Sequence, residues 1–312
     1  MIGIQEAIEQ VSRDQLQVIA VPIFLAVVAL ELYFDKYRDT KLYESKDMWA
    51  SLGMLLITAL VELLPKILAF IAFFHLHELS PLKDIVGRQA WAWALLFVLD
   101  DFTYYWFHRM NHEVRLLWAG HVAHHSSQLM NFGTALRQGA GERVHKYVFW
   151  LWLPLLGFDA LMIFVVISCN LLYQFWVHTE LIDKLPAWYE SIFNTPSHHR
   201  VHHASNVRYL DCNHAGVFII WDKIFGTFSP EVSVEKVKYG LTQNLTSHNL
   251  VHVATHEYRS LWQDISRAHS WKDKLRYIFL APGWNHNGPD KRAKVLRKKL
   301  KESNPSTFGE SY

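Results

Sequence analysis

The sequence is poor in cysteine and in charged residues, and each shortage excludes a class of protein. Only two of its 312 residues are cysteine, Cys169 and Cys212, so neither a disulfide framework nor a cysteine-based metal knuckle is expected. Charged residues make up 19%, whereas hydrophobic residues make up 51% and aromatic residues 14%. This composition is too apolar for a typical soluble domain of this size. The net charge of +2 gives no reason to expect nucleic acid as a partner.

Several common motifs are also missing. No H-E-x-x-H occurs, because His77, His112 and His256 are each followed by Glu but lack the second histidine, and this disfavours a zinc metalloprotease. There is no glycine-rich phosphate loop, repeat or low-complexity tract. The polar N-terminal segment does not resemble a cleavable secretion signal. We therefore expect the first apolar run, residues 18–34, to remain as a membrane anchor.

Long apolar runs are abundant and predict membrane helices, since about 17 to 25 residues cross the bilayer core. We expect the first three spans at residues 18–34, 48–79 and 89–107. Pro65 predicts a kink or a break in the second. Glu62 in the same run indicates a functional site or, more simply, a pair with Lys66 one turn later. The loop at 35–47 contains four Lys or Arg, so the positive-inside rule places it in the cytoplasm.

The most distinctive feature is a set of three histidine clusters. HRMNH, HVAHH and HHRVHH contain one H-x3-H and two H-x2-H-H patterns. Histidines three or four residues apart lie on one face of a helix, because a turn takes 3.6 residues. Neutral imidazole is a common metal ligand, and a tetrahedral site needs only four ligands. The clusters predict two metal ions bound by His108, His112, His121, His124, His125, His199, His202 and His203.

Other residues near the clusters are candidates for supporting roles. Asp101, His108 and His112 share one helical face by their spacing. The Asp101 carboxylate either orients a ligand imidazole through its second nitrogen or faces water at the interface. His178 follows a later apolar run and is either a ninth ligand or an interfacial histidine. We also expect His214 to lie close to the site.

Residues 148–177 determine whether the second and third histidine clusters lie on the same side of the membrane. The second and third clusters must meet at one site, so the chain between them crosses the membrane an even number of times. About 30 residues of helix rise about 45 Å, against a hydrocarbon core of about 30 Å. This length is short for two full spans, and we expect a hairpin that dips deeply and turns near Gly157. The predicted fold is all-α: a polytopic helical membrane protein with a cytosolic, histidine-rich dimetal cap.

The C-terminal part contains no further apolar span. His248, His252 and His256 follow helical spacing but lack the doubled histidines, which favours a structural role. The basic run at 290–301 is either a solvated helix face or a region attracted to anionic lipids. The predicted organisation is membrane helices at 1–88, a histidine-bearing domain at 89–230 and a cytosolic extension at 231–312.

These motifs, in this order, resemble the fatty acid hydroxylase/sterol desaturase superfamily over residues 90–230. Within it, the chain is most similar to the alkylglycerol monooxygenase family, through HRMNHE, HVAHHSS, TALRQG, SHHRVHH, NHAGVFIIWDKIFGTF, YGLT and APGW. The resemblance implies that the eight motif histidines bind two Fe ions and that Glu113 matters for activity. It also implies hydroxylation of the carbon next to an ether oxygen, with electrons from a tetrahydropterin or another external donor.

The chemistry of the predicted site favours the same function. Soluble di-iron bundles use Glu and Glu-x-x-His ligands, whereas a histidine-rich metal pair at a membrane surface suits iron that activates O2. An unactivated C–H bond requires an oxidant that a cofactor supplies. We predict an O2-dependent di-iron lipid monooxygenase, a multi-pass membrane protein with its histidines on the cytoplasmic side and its lipid substrate drawn from the bilayer. The alternatives are a sterol or fatty acyl desaturase, a zinc-dependent membrane hydrolase and a metal transporter.

Overall fold

The computed structural model describes residues 16–305, and within them the protein is all-helical. The polar segment before Leu16 lies outside the described residues. The helices are α1 (Leu16–Arg38), α2 (Ser45–Glu78), α3 (Ala90–Glu113), α4 (Arg115–His121), α5 (Phe132–Leu136), α6 (Glu142–His145), α7 (Ala160–Trp176), α8 (Ala187–Glu190), α9 (Pro196–His202), α10 (Ile220–Phe225), α11 (Leu250–Arg267), α12 (Trp271–Phe279) and α13 (Ala293–Ser303). The described chain forms no strand, and its extended segments pair only at two isolated bridges.

The second apolar run forms one uninterrupted helix, α2, of 34 residues with Pro65 inside it. Of the kink or break expected at Pro65, the break does not occur. Proline removes one intrahelical hydrogen bond, but Phe70 and Phe73 beyond it are held in the apolar core. Among the described residues, α2 is the one helix that is long and apolar enough to cross a membrane, and α7 is apolar but has only 17 residues.

A large apolar core joins α2, α3, α7 and the chain before α7. Phe73, Leu96, Trp150 and Ile163 lie at its centre, and each is almost fully buried. The other side of α2 is apolar too, because most of its exposed large side chains are leucines. Exposed apolar surface of this extent usually marks contact with lipid or protein.

The turn expected near Gly157 is present, but the arm before it is not a membrane-crossing helix. Gly157 has a φ of +92°, and Asp159 caps α7 by accepting a hydrogen bond from Met162 N. Before the turn the chain forms two short 3-10 helices, Lys146–Trp150 and Pro154–Leu156. Pro154 has no N–H to donate and takes the first position of the second 3-10 helix. The predicted deep hairpin is therefore corrected to one helical arm and one irregular arm.

The long helices place the histidines at one end of the molecule. At the other end, Ser80 Oγ in the α2–α3 loop donates to Leu155 O over 2.8 Å. At the histidine end, Asp47 near the start of α2 pairs with Arg137, and the Arg137 carbonyl contacts His124. The basic loop between α1 and α2 therefore lies at the same end as the histidines.

Glu62 on α2 has several polar partners besides the expected Lys66. Tyr147 donates a hydrogen bond of 2.7 Å to Glu62, while Arg143 and Lys146 lie 3.6 and 3.7 Å from the same carboxylate oxygen. The Lys66 ammonium also lies over the Phe164 ring, 5.7 Å from its centre. The helical spacing of Glu62 and Lys66 carried no information about the polar segment that packs against α2.

Candidate metal centre

The structure brings nine histidines from distant parts of the chain into two neighbouring groups. The five-histidine group consists of His108, His112, His121, His125 and His202. The four-histidine group consists of His124, His178, His199 and His203. All nine side chains are buried, and the potential ligand atoms of each group lie within 4.8 Å of one another. The eight predicted ligands and His178 are therefore all present in the two groups.

The two H-x2-H-H motifs each contribute to both groups. His121 and His125, four residues apart, belong to the five-histidine group, while His124 between them belongs to the other. In the second motif, His202 belongs to the five-histidine group, while His199 and His203 belong to the four-histidine group. The groups are adjacent, and the His125 and His203 rings stack with centres 4.4 Å apart.

The Nδ1 atoms of four of these imidazoles lie beside backbone carbonyl oxygens. The Nδ1 atoms of His108 and His202 lie 2.9 and 3.0 Å from the carbonyl oxygens of His214 and Cys212. In the four-histidine group, the Nδ1 atoms of His124 and His178 lie 3.0 and 2.8 Å from carbonyl oxygens. A carbonyl only accepts, so each Nδ1 carries the proton and each Nε2 presents a lone pair.

Three of these inward nitrogens have no hydrogen-bond partner in the described chain. They are the Nε2 atoms of His108, His112 and His202, all in the five-histidine group. In the four-histidine group the Nε2 atoms of His178 and His199 face each other at 2.9 Å. Buried acceptors without a donor are costly unless they bind a ligand. These observations fit a metal ion at each group, and all-imidazole ligand sets suit Fe, Zn or Cu.

Two carboxylates contact imidazoles of the five-histidine group, and neither was identified from the sequence. Glu142 Oε2 lies 2.5 Å from His121 Nδ1, and Asp211 Oδ1 lies 3.3 Å from His112 Nδ1. Glu142 reaches its position because α4 and the start of α6 are in close contact: a Cβ on Gly120 would lie 2.7 Å from Glu142 N. Carboxylates in this position fix the tautomer and raise the basicity of the ligand.

Burial favours the neutral form of most of these imidazoles, and neutral imidazole is the form that binds metal. Desolvation is the main cause and neighbouring imidazoles add to it, so the pKa values of His108, His121, His124, His125, His199, His202 and His203 lie well below the ordinary 6.5. Burial lowers the pKa of His178 to about 4. The site is therefore prepared for metal binding at neutral pH.

Asp101 does not contact an imidazole, and its predicted orienting role is corrected. Its carboxylate accepts hydrogen bonds from Val217 N, Phe218 N and the Trp221 indole at 2.7 to 2.9 Å. Asp101 does lie on the face of α3 that its spacing from His108 predicted. Seven residues of helix, however, separate it from His108 by about 10 Å along the axis. Asp101 instead attaches the segment around residue 217 to α3, and the preceding carbonyl of that segment contacts His108.

Glu113 lies at the end of α3 and is partly exposed. It forms an ion pair with Arg109 at 2.9 Å, and Arg109 also donates to Tyr105 Oη. Glu113 belongs to neither histidine group. Its importance for activity stays a prediction.

His214 lies beside the five-histidine group without belonging to it. The ring is fully buried, its centre is 5.1 Å from that of His112, and neither ring nitrogen has a hydrogen-bond partner in the described chain. Its backbone N–H donates to Asp222, which also accepts from Thr227. The expected proximity of His214 to the site is thus observed.

A cavity of about 880 Å³ borders the five-histidine group. His112, His125 and His202 form part of its wall, whereas no member of the four-histidine group does. The remaining wall comes mainly from α4, α11 and the segments 240–245 and 282–296. His252 and His256, which spacing alone assigned a structural role, line this cavity. Sequence analysis did not identify the cavity, because the segments that form it are far apart in the chain.

Comparison with known proteins gives the following matches. The fatty acid hydroxylase family model matches residues 93–227. Alkylglycerol monooxygenase of Danio rerio is 38% identical over 271 residues, covering 86% of this chain and 60% of that protein. The Homo sapiens enzyme is 39% identical over 285 residues, 91% of this chain and 62% of its own. The Xenopus tropicalis enzyme is 46% identical over 208 residues, 67% of this chain and 46% of its own.

These matches confirm the resemblance that the motifs indicated. The chain spans about 60% of the length of the Danio rerio and Homo sapiens enzymes. No solved structure matches the chain significantly.

Proposed function

Because its residues 93–227 belong to the fatty acid hydroxylase family, we propose that this protein is an O2-dependent lipid monooxygenase whose nine histidines hold two iron ions. The observation that carries the proposal is the pair of buried histidine groups, in which six Nδ1 atoms are held by carbonyls or carboxylates and several Nε2 atoms face each other or have no partner in the described chain. Bound iron would supply the oxidising power needed to cleave an unactivated C–H bond. Identity to alkylglycerol monooxygenases over most of the chain favours an ether lipid as substrate, hydroxylated next to the ether oxygen.

The protein's own side chains would hold and shield this chemistry. Glu142 and Asp211 orient two imidazoles of the five-histidine group, and burial removes water from all nine. Asp101 and Asp222 hold the segment that carries His214, since both accept several backbone hydrogen bonds from it. Rigid positioning of this kind keeps reacting groups within the narrow geometry that catalysis requires.

A membrane location follows from the outward surface of α2 and from the relatives. The exposed leucines of α2 are Leu55, Leu56, Leu60, Leu63, Leu64 and Leu68. We propose that α1, α3 and α7 are embedded with it, which makes the protein multi-pass. The histidine end would face the cytoplasm, because the basic loop between α1 and α2 lies at that end. A lipid could then reach the site from the bilayer.

The electron donor would bind in the 880 Å³ cavity beside the five-histidine group. The cavity is far larger than O2 needs, and polar residues from α11 and the 240–245 segment contribute to its wall. Trp118 lines it and packs against His112 and His125, with ring centres 5.0 and 5.5 Å apart. A tetrahydropterin is the donor that we propose, on the strength of the family resemblance.

The test is metal content followed by product analysis. Protein purified in detergent and reconstituted anaerobically with Fe(II) should contain about two irons per chain by elemental analysis. With a tetrahydropterin it should consume O2 and an alkylglycerol together and release a fatty aldehyde. A desaturase would give an unsaturated product instead. Cleavage that needs zinc and proceeds without O2 would contradict the proposal.

A further inference from the structure

The helix α12 exposes large apolar side chains along one face. Trp271, Leu275 and Phe279 are 67%, 43% and 61% exposed, and their spacing of four residues places them in one stripe. The opposite side is filled, because Tyr277 is 2% exposed and packs in a small core with Leu261. The outward stripe of α12 therefore has an apolar surface that the described chain does not cover.

The polar residues beside this stripe are mainly cationic. Lys272, Lys274 and Arg276 are exposed, and the one acidic residue of the helix, Asp273, pairs with Arg276 at 3.1 Å. An apolar stripe with flanking Lys and Arg is typical of helices that lie in the plane of a membrane interface. The cations complement anionic lipid headgroups, whereas a soluble apolar ligand would not require them.

The height of α12 relative to the long helices agrees with such a location. Arg115 N, just after the end of α3, donates to Leu280 O at the end of α12 over 3.1 Å. The 24 residues of α3 rise about 36 Å, against a hydrocarbon core of about 30 Å. Trp91 and Leu95 near the start of α3 are exposed, so the outward face of α3 is apolar at the end that lies far from Leu280. If α3 crosses the bilayer, Leu280 lies at the level of the headgroups.

We propose that the stripe formed by Trp271, Leu275 and Phe279 inserts into the boundary between lipid headgroups and acyl chains, so that α12 lies on the membrane surface. This inference rests on the membrane embedding of the proposed function. It has a consequence for the site, because the segment from Pro282 to Leu296 that follows α12 forms one wall of the cavity. Membrane contact of α12 would hold that wall, and hence the cavity, next to the bilayer.

The test measures the surroundings of single spin labels in the full protein. Labels are attached at Leu275→Cys or at Lys272→Cys, in a background where Cys169 and Cys212 are replaced by Ser. The protein is placed in nanodiscs of phosphatidylcholine and phosphatidylglycerol. The Leu275 label should collide several-fold more often with O2, which concentrates in lipid, than with water-soluble chromium oxalate. The Lys272 label should show the reverse preference.

A third label separates this inference from the embedding on which it rests. Leu60 on α2 is 68% exposed. A label attached at Leu60→Cys should therefore be accessible to lipid if the protein is embedded. A lipid-accessible label at residue 60 with a water-accessible label at residue 275 would overturn the role of α12 alone. Protection of residue 275 from both reagents would also overturn it, since a protein partner or second copy would then cover the stripe. Water access at residue 60 would contradict the embedding itself.

Discussion

The five-histidine and four-histidine groups both consist of imidazoles, and both include residues of the repeated H-x2-H-H motif, yet their surroundings differ. In the five-histidine group, Glu142 contacts His121 and Asp211 contacts His112, and the group borders the large cavity. In the four-histidine group, His124 and His178 contact backbone carbonyls, and none of its members lines that cavity. Under the proposed function, reactants would therefore meet the five-histidine group, while the four-histidine group is enclosed by protein.

The largest expected effect is the loss of a ligand from either group. His202→Ala in the five-histidine group and His124→Ala in the four-histidine group should each abolish activity and lower the iron content of the purified protein. The reason is that truncation leaves an incomplete ligand set whose remaining imidazoles are buried. Elemental analysis and O2 consumption provide the measurements. His252→Ala, in the cavity wall but outside both groups, is the matched control and should keep two irons. Full activity in either ligand variant would contradict the metal assignment.

The next effect concerns the carboxylates that distinguish the five-histidine group. Glu142→Gln should weaken iron binding by about 10- to 100-fold, the usual cost of removing an outer partner of a ligand. Asp211→Asn should weaken it less, because the Asp211 contact is longer, at 3.3 Å against 2.5 Å. Competition with a calibrated iron chelator measures both.

Gln174→Ala is the control from the other group. His178 is held by the Gln174 carbonyl, and that carbonyl is kept when the side chain is removed. Iron affinity should therefore change little. A loss in Gln174→Ala as large as that in Glu142→Gln would show that the carboxylates have no special role.

A smaller effect is expected when the cavity is narrowed. Ser260 lines it and accepts a hydrogen bond from Arg115. Ser260→Phe should raise the KM for the electron donor roughly tenfold, which corresponds to about 1.4 kcal/mol of lost binding, with iron content unchanged. Ser260→Ala removes the hydrogen bond without adding bulk and should leave KM near the wild-type value. An unchanged KM in Ser260→Phe would place the donor elsewhere.

The smallest effect is on stability and involves His178. Its folded pKa is about 4, below the 6.5 of the unfolded chain, so between these values only the unfolded state takes up the proton. Stability contributed by this group is present above pH 6.5 and declines as pH falls, by about 1.4 kcal/mol per pH unit. In iron-free protein, the drop in Tm from pH 7.5 to 5.5 should be smaller in His178→Gln than in wild type. Equal drops would contradict this assignment.

The histidine centre was the part of the protein most accessible from sequence. Spacing of three and four residues identifies eight of the nine residues, because the helical turn links sequence distance to direction. His178 was an open alternative, since nothing local marks it as different from an interfacial histidine. Glu142 and Asp211 could not be found in this way, because each reaches its histidine through contacts between segments.

The membrane helices show the same limit. The turn at Gly157 was predictable, since Gly and Asp are common turn residues. The short 3-10 path before the turn was not, and the sequence left open whether Pro65 kinks or breaks α2. In both segments, aromatic side chains pack into the core that α2, α3 and α7 share. Similarly, Asp101 lies on the predicted face of α3, yet three of its partners come from residues more than 100 positions later.

The sequence by itself therefore determined the histidine pattern, the helical class and the resemblance to the fatty acid hydroxylase family, because these depend on residue type and on spacing within one helical turn. The tertiary structure alone decided how nine histidines divide into an enclosed group of four and a group of five beside a cavity. That division depends on where α4, α9, α11 and the 211–222 segment meet. Contacts of that kind arise from packing between distant segments, which local periodicity does not encode.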